Sequence, residues 1–467
     1  MPVDISIERG CVARCLLGLL AVGLTWMPEL GMAMDVYDVY QKSLEKESKY
    51  QEAIQTYLSK REAKDQGFAG LLPRVELRGS YEKVYQKKKV DSQTSENSAD
   101  YYQEHYEVKL LQPLFDAEKM ALFRKGKREA LQAEIELELA RQELRLRVVE
   151  AFFEALYAQD SLRAYEAQKK ATFEFMDQAK KSFEIGTVTA NDVYDAESRY
   201  ELVSVKVMQA EIDLELKRKA LEVLTGDPVD FIQPLRNTIK LLPPQPATLK
   251  TWLDQAATSN LEVQIQNFST EIASAELDYN KAGHYPRLEF TASANLDDQS
   301  GTMSSFEETG PGQRTNDSYV GLLLTVPIFE GGYVQSKVRE AKHAQAASHQ
   351  KLDDVRKESI EKAREGFINT VVGAKKIETL YSAVTSSQES LRASKLGYGV
   401  GVRTAVDVLN AQEQLSSSIR ERAKTIYDSI IFSLKLKASV GTLSDEDIMQ
   451  LRAYTDYSNA PVNNTSF

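Results

Sequence analysis

Four stretches of this chain alternate apolar and polar residues with the two-residue stride of a β-strand. In the first, Val75, Leu77, Tyr81 and Tyr85 alternate with Glu76, Arg78, Ser80 and Glu82. In the second, Tyr106, Val108 and Leu110 alternate with Glu107 and Lys109. The third sets Leu288, Phe290, Ala292 and Ala294 against Glu289, Thr291, Ser293 and Asn295, and the fourth is the stripe Val320, Leu322, Leu324 and Val326. Each segment spans 9–13 residues, which suits a tilted strand crossing a bilayer. The polar stretches 87–100 and 297–317 read as loops in water. Proline cannot donate to a ladder, so Pro73 and Pro286 are expected to open the first strand of each pair, and Pro113 and Pro327 to close the second.

A soluble sandwich with one wet face produces the same alternation. Four strands, however, are too few to close a barrel, and an open sheet leaves unpaired edges. Such edges cannot persist in lipid. If these strands span a membrane, several chains must share one barrel.

Elsewhere the stride changes to that of helices. From Ala117 to about Glu184 there is no proline and a single glycine, Gly126, which predicts a rod of roughly 100 Å. Its counterpart runs from about Tyr333 to Leu396, and shorter helices are expected at about 188–225 and 404–440. Val193, Ala196, Tyr200, Val203, Val207, Ala210, Leu214 and Leu221 keep heptad spacing. The long helix carries two stripes, Leu137, Leu144, Val148, Ala151, Ala155 and Leu162 on one side, and Leu139, Leu146, Phe153 and Tyr157 on the other. Two stripes on one rod imply two neighbours, as for a stave in a tube. A partner-binding coiled coil would share the heptads but needs neither the strands nor an export signal.

The elements come twice. LPRVEL at 72–77 recurs as YPRLEF at 285–290, QPLFD at 112–116 as VPIFE at 326–330, and FEIGTVTANDV at 183–193 as YGVGVRTAVDV at 398–408. The separations, 213 to 215 residues, are too long for a solenoid repeat and imply duplication of one large unit. The expected organisation is a first unit at 34–230, a linker at 231–248 marked by Pro243, Pro244 and Pro246, a second unit at 249–443 and a C-terminal tail at 444–467.

Residues 1–33 read as a secretory signal, with Arg9 and Arg14 before an apolar run and a small-residue site at 31–33. Both cysteines, Cys11 and Cys15, fall inside it, so an exported chain would have no disulfide, catalytic thiol or thiolate metal ligand. Removing two of 58 basic and three of 69 acidic residues leaves 56 against 66, a net charge of −10. That balance offers no electrostatic reason to bind nucleic acid. The four histidines, His105, His284, His343 and His349, have no metal-ligand spacing. The Gly331–Gly332 pair lacks the lysine of a phosphate loop. No catalytic site, cofactor or metal is expected.

The remaining signals sit where one helix hands over to the next. Gly186 and Gly401 are placed to end helices in left-handed geometry, Thr189 and Thr404 to start the next, and Asp192 and Asp407 lie three residues further on. A well-capped helical hairpin accounts for all six residues.

Taken in register, the duplicated P-R-[VL]-E strands, the Q-P-L-F and V-P-I-F-E-G-G strand exits and the G-x-x-T-x-x-D-V tips resemble the TolC-like outer-membrane efflux family over essentially the whole mature chain. The resemblance implies a mostly α fold with a membrane β-barrel portion. A homotrimer would pool four strands per chain into a 12-stranded β-barrel, continued by a 12-helix α-barrel tunnel into the periplasm. It implies a passive exit duct for efflux or type I secretion, joined through a periplasmic adaptor to an inner-membrane transporter of RND, ABC or MFS type, with outer-membrane lipid around the barrel. The tips Gly186, Thr187, Val188, Gly401, Val402 and Thr404 would meet the adaptor. Tyr398 and Arg403 would tether the inner coil, with Asp192 among their partners, and three copies of Asp407 would ring a closed aperture. Some relatives carry a second acid three residues on. Asn410 stands there in this chain. Two other classes share some of these features. A membrane-anchored structural coiled coil of the adhesin type would carry its barrel at the C-terminal end alone, and a periplasmic adaptor has one hairpin per chain and no membrane-length strands.

Overall fold

The computed structural model describes residues 34–89, 96–229, 232–236, 243–303 and 313–455. The expected signal at 1–33 lies outside the described residues, as do 237–242 of the expected linker. Helices α1 (Val36–Lys46) and α2 (Ser48–Ala69) lead into strands β1 (Arg74–Lys89) and β2 (Glu96–Phe115), then helices α3 (Ala117–Glu184) and α4 (Ala190–Thr225). The same order of elements follows in α5 (Leu249–Ser259), α6 (Leu261–Ala282), β3 (Arg287–Met303), β4 (Arg314–Thr325), α7 (Tyr333–Gly399) and α8 (Ala405–Ser439). A short helix α9 (Asp445–Gln450) and a 3-10 turn (Leu451–Tyr454) close the described chain. At 68 and 67 residues, α3 and α7 are each about 100 Å long by helical rise.

The strands form one antiparallel sheet in the order β1-β2-β3-β4. Directly opposed residues share a face, so the register fixes what each face carries. Leu77 opposes Val108, Val108 opposes Ala294, and Phe290 opposes Leu322, giving one apolar band. Further along the same face Glu104 opposes Asp298, and Asp298 opposes Arg314. The other face is charged: Glu107 lies near Arg78, Lys119 reaches Glu289, and His105 Nδ1 lies 2.7 Å from Asp297 Oδ1.

This corrects the strand lengths read from alternation. The strands have 16, 20, 17 and 12 residues, and much of the polar sequence at 87–100 and 297–317 is ladder rather than loop. Alternation marks only the apolar band. Beyond it both faces are polar, so the pattern vanishes while the backbone ladder continues. Pro113 likewise does not close β2, which runs on to Phe115 with a register shift between Pro113 and Phe115. The bulge accommodates a residue that has no N–H to donate. Pro73 and Pro286 immediately precede β1 and β3, and Pro327 follows β4.

The largest core surrounds the middle of α3. Val148, Phe152, Phe153 and Leu156 pack with Val36, Val39 and Tyr40 of α1, Leu221 of α4, and Tyr427 and Ile430 of α8. The two sequence stripes on α3 thus understate its burial, because α1 and α9 cover a third side. The described part of the expected tail at 444–467 folds back as a clasp. Ile448 and Leu451 are buried in this core. Asp445 accepts from Tyr40 Oη at 2.6 Å and Arg145 Nε at 2.7 Å, and pairs with Arg141. Arg452 donates to Asp35 and Asp38 at 2.5 and 2.7 Å, joining the end of the chain to its beginning.

Candidate functional site: the two helical tips

Each long helix ends in the same local structure. Leaving α3, Gly186 N–H donates to Phe183 O and Thr187 N–H to Ser182 O, both at 2.9 Å. Leaving α7, Gly401 N–H donates to Tyr398 O at 3.1 Å and Val402 N–H to Gly397 O at 2.8 Å. These paired bonds are the Schellman arrangement, which needs a left-handed residue one past the cap. Gly186 and Gly401 supply it with φ of 77° and 75°. Thr189 and Thr404 then cap α4 and α8, and each forms a reciprocal box with Asp192 or Asp407. Asp407 Oδ2 accepts from Thr404 N–H and Oγ1, both at 2.9 Å. The Thr404 backbone N–H is the chief cause holding the Asp407 carboxyl below the usual aspartate range, with the Thr404 hydroxyl and Arg403 adding to it.

The two tips are tied into one end of the molecule by an apolar cluster. Phe175, Met176 and Ala179 of α3 meet Ala196 of α4, Leu391 of α7, and Ala405, Val408 and Leu409 of α8. Tyr398 sets its ring at a tilt against Phe175, centroids 5.0 Å apart, and its buried hydroxyl makes no hydrogen bond within the protomer. Burial, then the nearby Asp192 charge, push the Tyr398 hydroxyl pKa up. Arg403 faces its own Asp407 across 3.9 Å. Val402 and Val400 are more than three-quarters exposed, an apolar tip in open solvent.

The profile of the family described as outer membrane efflux protein matches residues 39–227 and again 252–442. The chain belongs to that family. It is 30% identical over 441 residues to the alkaline protease secretion protein AprF of Pseudomonas aeruginosa, covering 93% of this chain and 90% of that one. It is 27% identical to the outer membrane protein TolC of Escherichia coli, covering 93% and 87% of the two chains. Among solved structures, the CmeC outer membrane channel of Campylobacter jejuni superposes with a TM-score of 0.75 at 15% identity, covering 91% and 90%. The chain is therefore an outer-membrane channel protein of efflux and secretion type, mostly helical in fold. Among the described residues of this outer membrane efflux protein no helix is long and apolar enough to cross a membrane, and no group of three or more potential ligands could hold a metal ion.

Four residues that matter at the tips of this efflux protein are not marked by any motif. Gly397 lies under the Arg403 stem, where an added Cβ would come within 2.6 Å of Arg403 Cγ. Arg199 and Lys206 of α4 reach Glu413 of α8, one oxygen each at 2.9 Å, and Arg199 Nη2 also donates to Asn410 Oδ1 at 3.0 Å. The seven-residue step from Arg199 to Lys206 puts both on one face of α4, a signal visible in sequence once their partner is known.

Proposed function

We propose that three copies of this chain form the outer-membrane exit duct of a tripartite system. Two copies of a duplicated strand-strand-rod-helix unit would give each protomer its four strands and four long helices. Three protomers would then close a 12-stranded barrel in lipid and extend it as a 12-helix tunnel through the periplasm. The observation that carries this reading is the sheet itself. Its four strands bear a continuous apolar band, and β1 and β4 have free outer edges among the described residues. Edges of that kind demand partners in lipid. A second support is a stripe on α4, where Leu202, Val205, Met208, Ile212 and Leu216 are exposed on the side away from the buried Val203, Val207 and Leu214. A neighbouring protomer's rod would cover it.

The tips would then form the periplasmic aperture. Gly186, Thr187, Val188, Gly401, Val402 and Thr404 present the surface for an adaptor, which would link the duct to an inner-membrane transporter. Tyr398, Arg403 and Asp192 would tether neighbouring coils, and Asp407 would line the constriction with Asn410 behind it. Likeness to AprF, named for alkaline protease secretion, favours protein cargo delivered by type I secretion.

Cell fractionation tests the reading directly: the mature chain should be recovered in the outer membrane as a heat-sensitive trimer. Recovery as a soluble periplasmic monomer would overturn it. Arg403→Ser should raise conductance in planar bilayers. Each exposed pair contributes about 1 kcal/mol or less, so the narrow state should be easily shifted. Unchanged conductance would remove Arg403 from the tether.

A further inference from the structure

Glu413 lies beyond the tip motifs, six residues along α8 from Asp407, and nothing in the family pattern assigns it a role. Its two oxygens are taken by different cations of the other hairpin, Oε2 by Arg199 Nη1 and Oε1 by Lys206 Nζ. Arg199 bridges one turn of α8 by also holding Asn410. The three charged side chains are each a little over one-third exposed, so water can replace either partner. Lys206 foremost, with Arg199 and Arg420 assisting, holds the Glu413 carboxyl below the ordinary glutamate range, so it is charged at neutral pH.

The geometry points to a latch: Glu413, clasped by Arg199 and Lys206, holds the second hairpin of each protomer against the first and so keeps the channel in its narrow state. This inference rests on the reading of the tips as the aperture. Three features separate a latch from a structural joint. The pairs cross between hairpins, whereas the threonine caps at the tips are local to each helix start and survive without them. The hairpins are docked by buried apolar contacts, Leu391, Val408 and Leu409 against Phe175 at the tip and Tyr427 on Phe153 in the core with centroids 5.6 Å apart, so the ion pairs are not what joins them. Finally, exposed ion pairs exchange readily, which a reversible closure requires.

The test is single-channel recording of purified trimers in planar bilayers. Exposed pairs each shift an equilibrium by up to about fivefold, so Glu413→Gln should raise the open fraction by roughly that factor. Reversing all three charges together, with Glu413→Lys, Arg199→Glu and Lys206→Glu, should restore the narrow state. Because salt screens exposed charges, the open fraction of the native channel should rise with ionic strength, and Glu413→Gln should reduce that rise to the part owed to the Arg403 tether. A merely structural role would leave the salt response intact. Native conductance and salt response in Glu413→Gln, alongside an opened Arg403→Ser channel, would overturn the latch while leaving the aperture standing. No change in either variant would remove the aperture reading, and the latch with it.

Discussion

Replacing Arg145 with alanine is expected to lower unfolding stability by about 2 kcal/mol, because the half-buried Asp445 carboxylate keeps Tyr40 and Arg141 but loses a charged donor, and the Leu443 carbonyl loses its side-chain donor. Arg145 is almost fully buried and donates to Asp445, Glu138 and the Leu443 carbonyl at 2.7, 2.9 and 3.2 Å. No side chain of similar length without charge can satisfy all three. The loss should depend on pH. Burial raises the Asp445 pKa, but hydrogen bonds from Tyr40 and Arg145 outweigh it and leave the carboxyl below the usual aspartate value. A carboxyl depressed on folding adds stability above its unfolded pKa and surrenders it as pH falls through the folded one. The clasp should therefore hold at neutral pH and loosen below about pH 4. Thermal unfolding of both proteins at neutral and acidic pH checks this. Equal melting at neutral pH, or a difference that persists in acid, would show that the clasp does not depend on this ion pair.

The second large effect is expected at a helix crossing. An added Cβ at Gly126, in the interior of α3, would come within 2.2 Å of the Ala63 carbonyl oxygen on α2. At Gly67 of α2 the intruded atom is Phe123 Cα of α3, at 2.9 Å. Two glycines thus let backbones touch where α2 carries the chain towards β1. Glycine inside a helix costs roughly 1 kcal/mol relative to alanine, so the close approach must outweigh that. Gly126→Leu should push α2 off α3, with a penalty at or above the roughly 1–3 kcal/mol usual for overpacking. Accelerated amide exchange along α2 and a lower melting temperature of the protein are the expected readouts. Native exchange rates in the variant would mean that α2 docks independently of this contact.

Which parts of this molecule can be read from its residues follows from the range of the forces involved. The apolar bands of β1 and β3 are legible because a strand face repeats every second residue. The rods and tips are legible because heptads, left-handed glycines and threonine caps act within one or two turns. Beyond the band, at 87–89 and 297–303, the ladder depends on the partner strand alone, and the sequence there carries no two-residue period. Among the tip residues, Thr404 and Asp407 behave as their spacing implies, each satisfying the other. Arg403 does not, for its position depends on Gly397 of the preceding helix, and no spacing rule links the two.

By itself, the sequence determined what is local: where the first strand of each pair begins, how long the rods run, and how each rod ends. The tertiary structure alone decided the contacts between residues far apart in the chain. Asp445 joins Arg145 across 300 positions, Arg452 joins Asp35 across 417, and Glu413 joins Arg199 across 214. A charged residue on a helix surface looks the same in sequence whether it faces water or an opposite charge. Only the packing of the two hairpins, set by apolar stripes, brings a particular acid within 3 Å of a particular base.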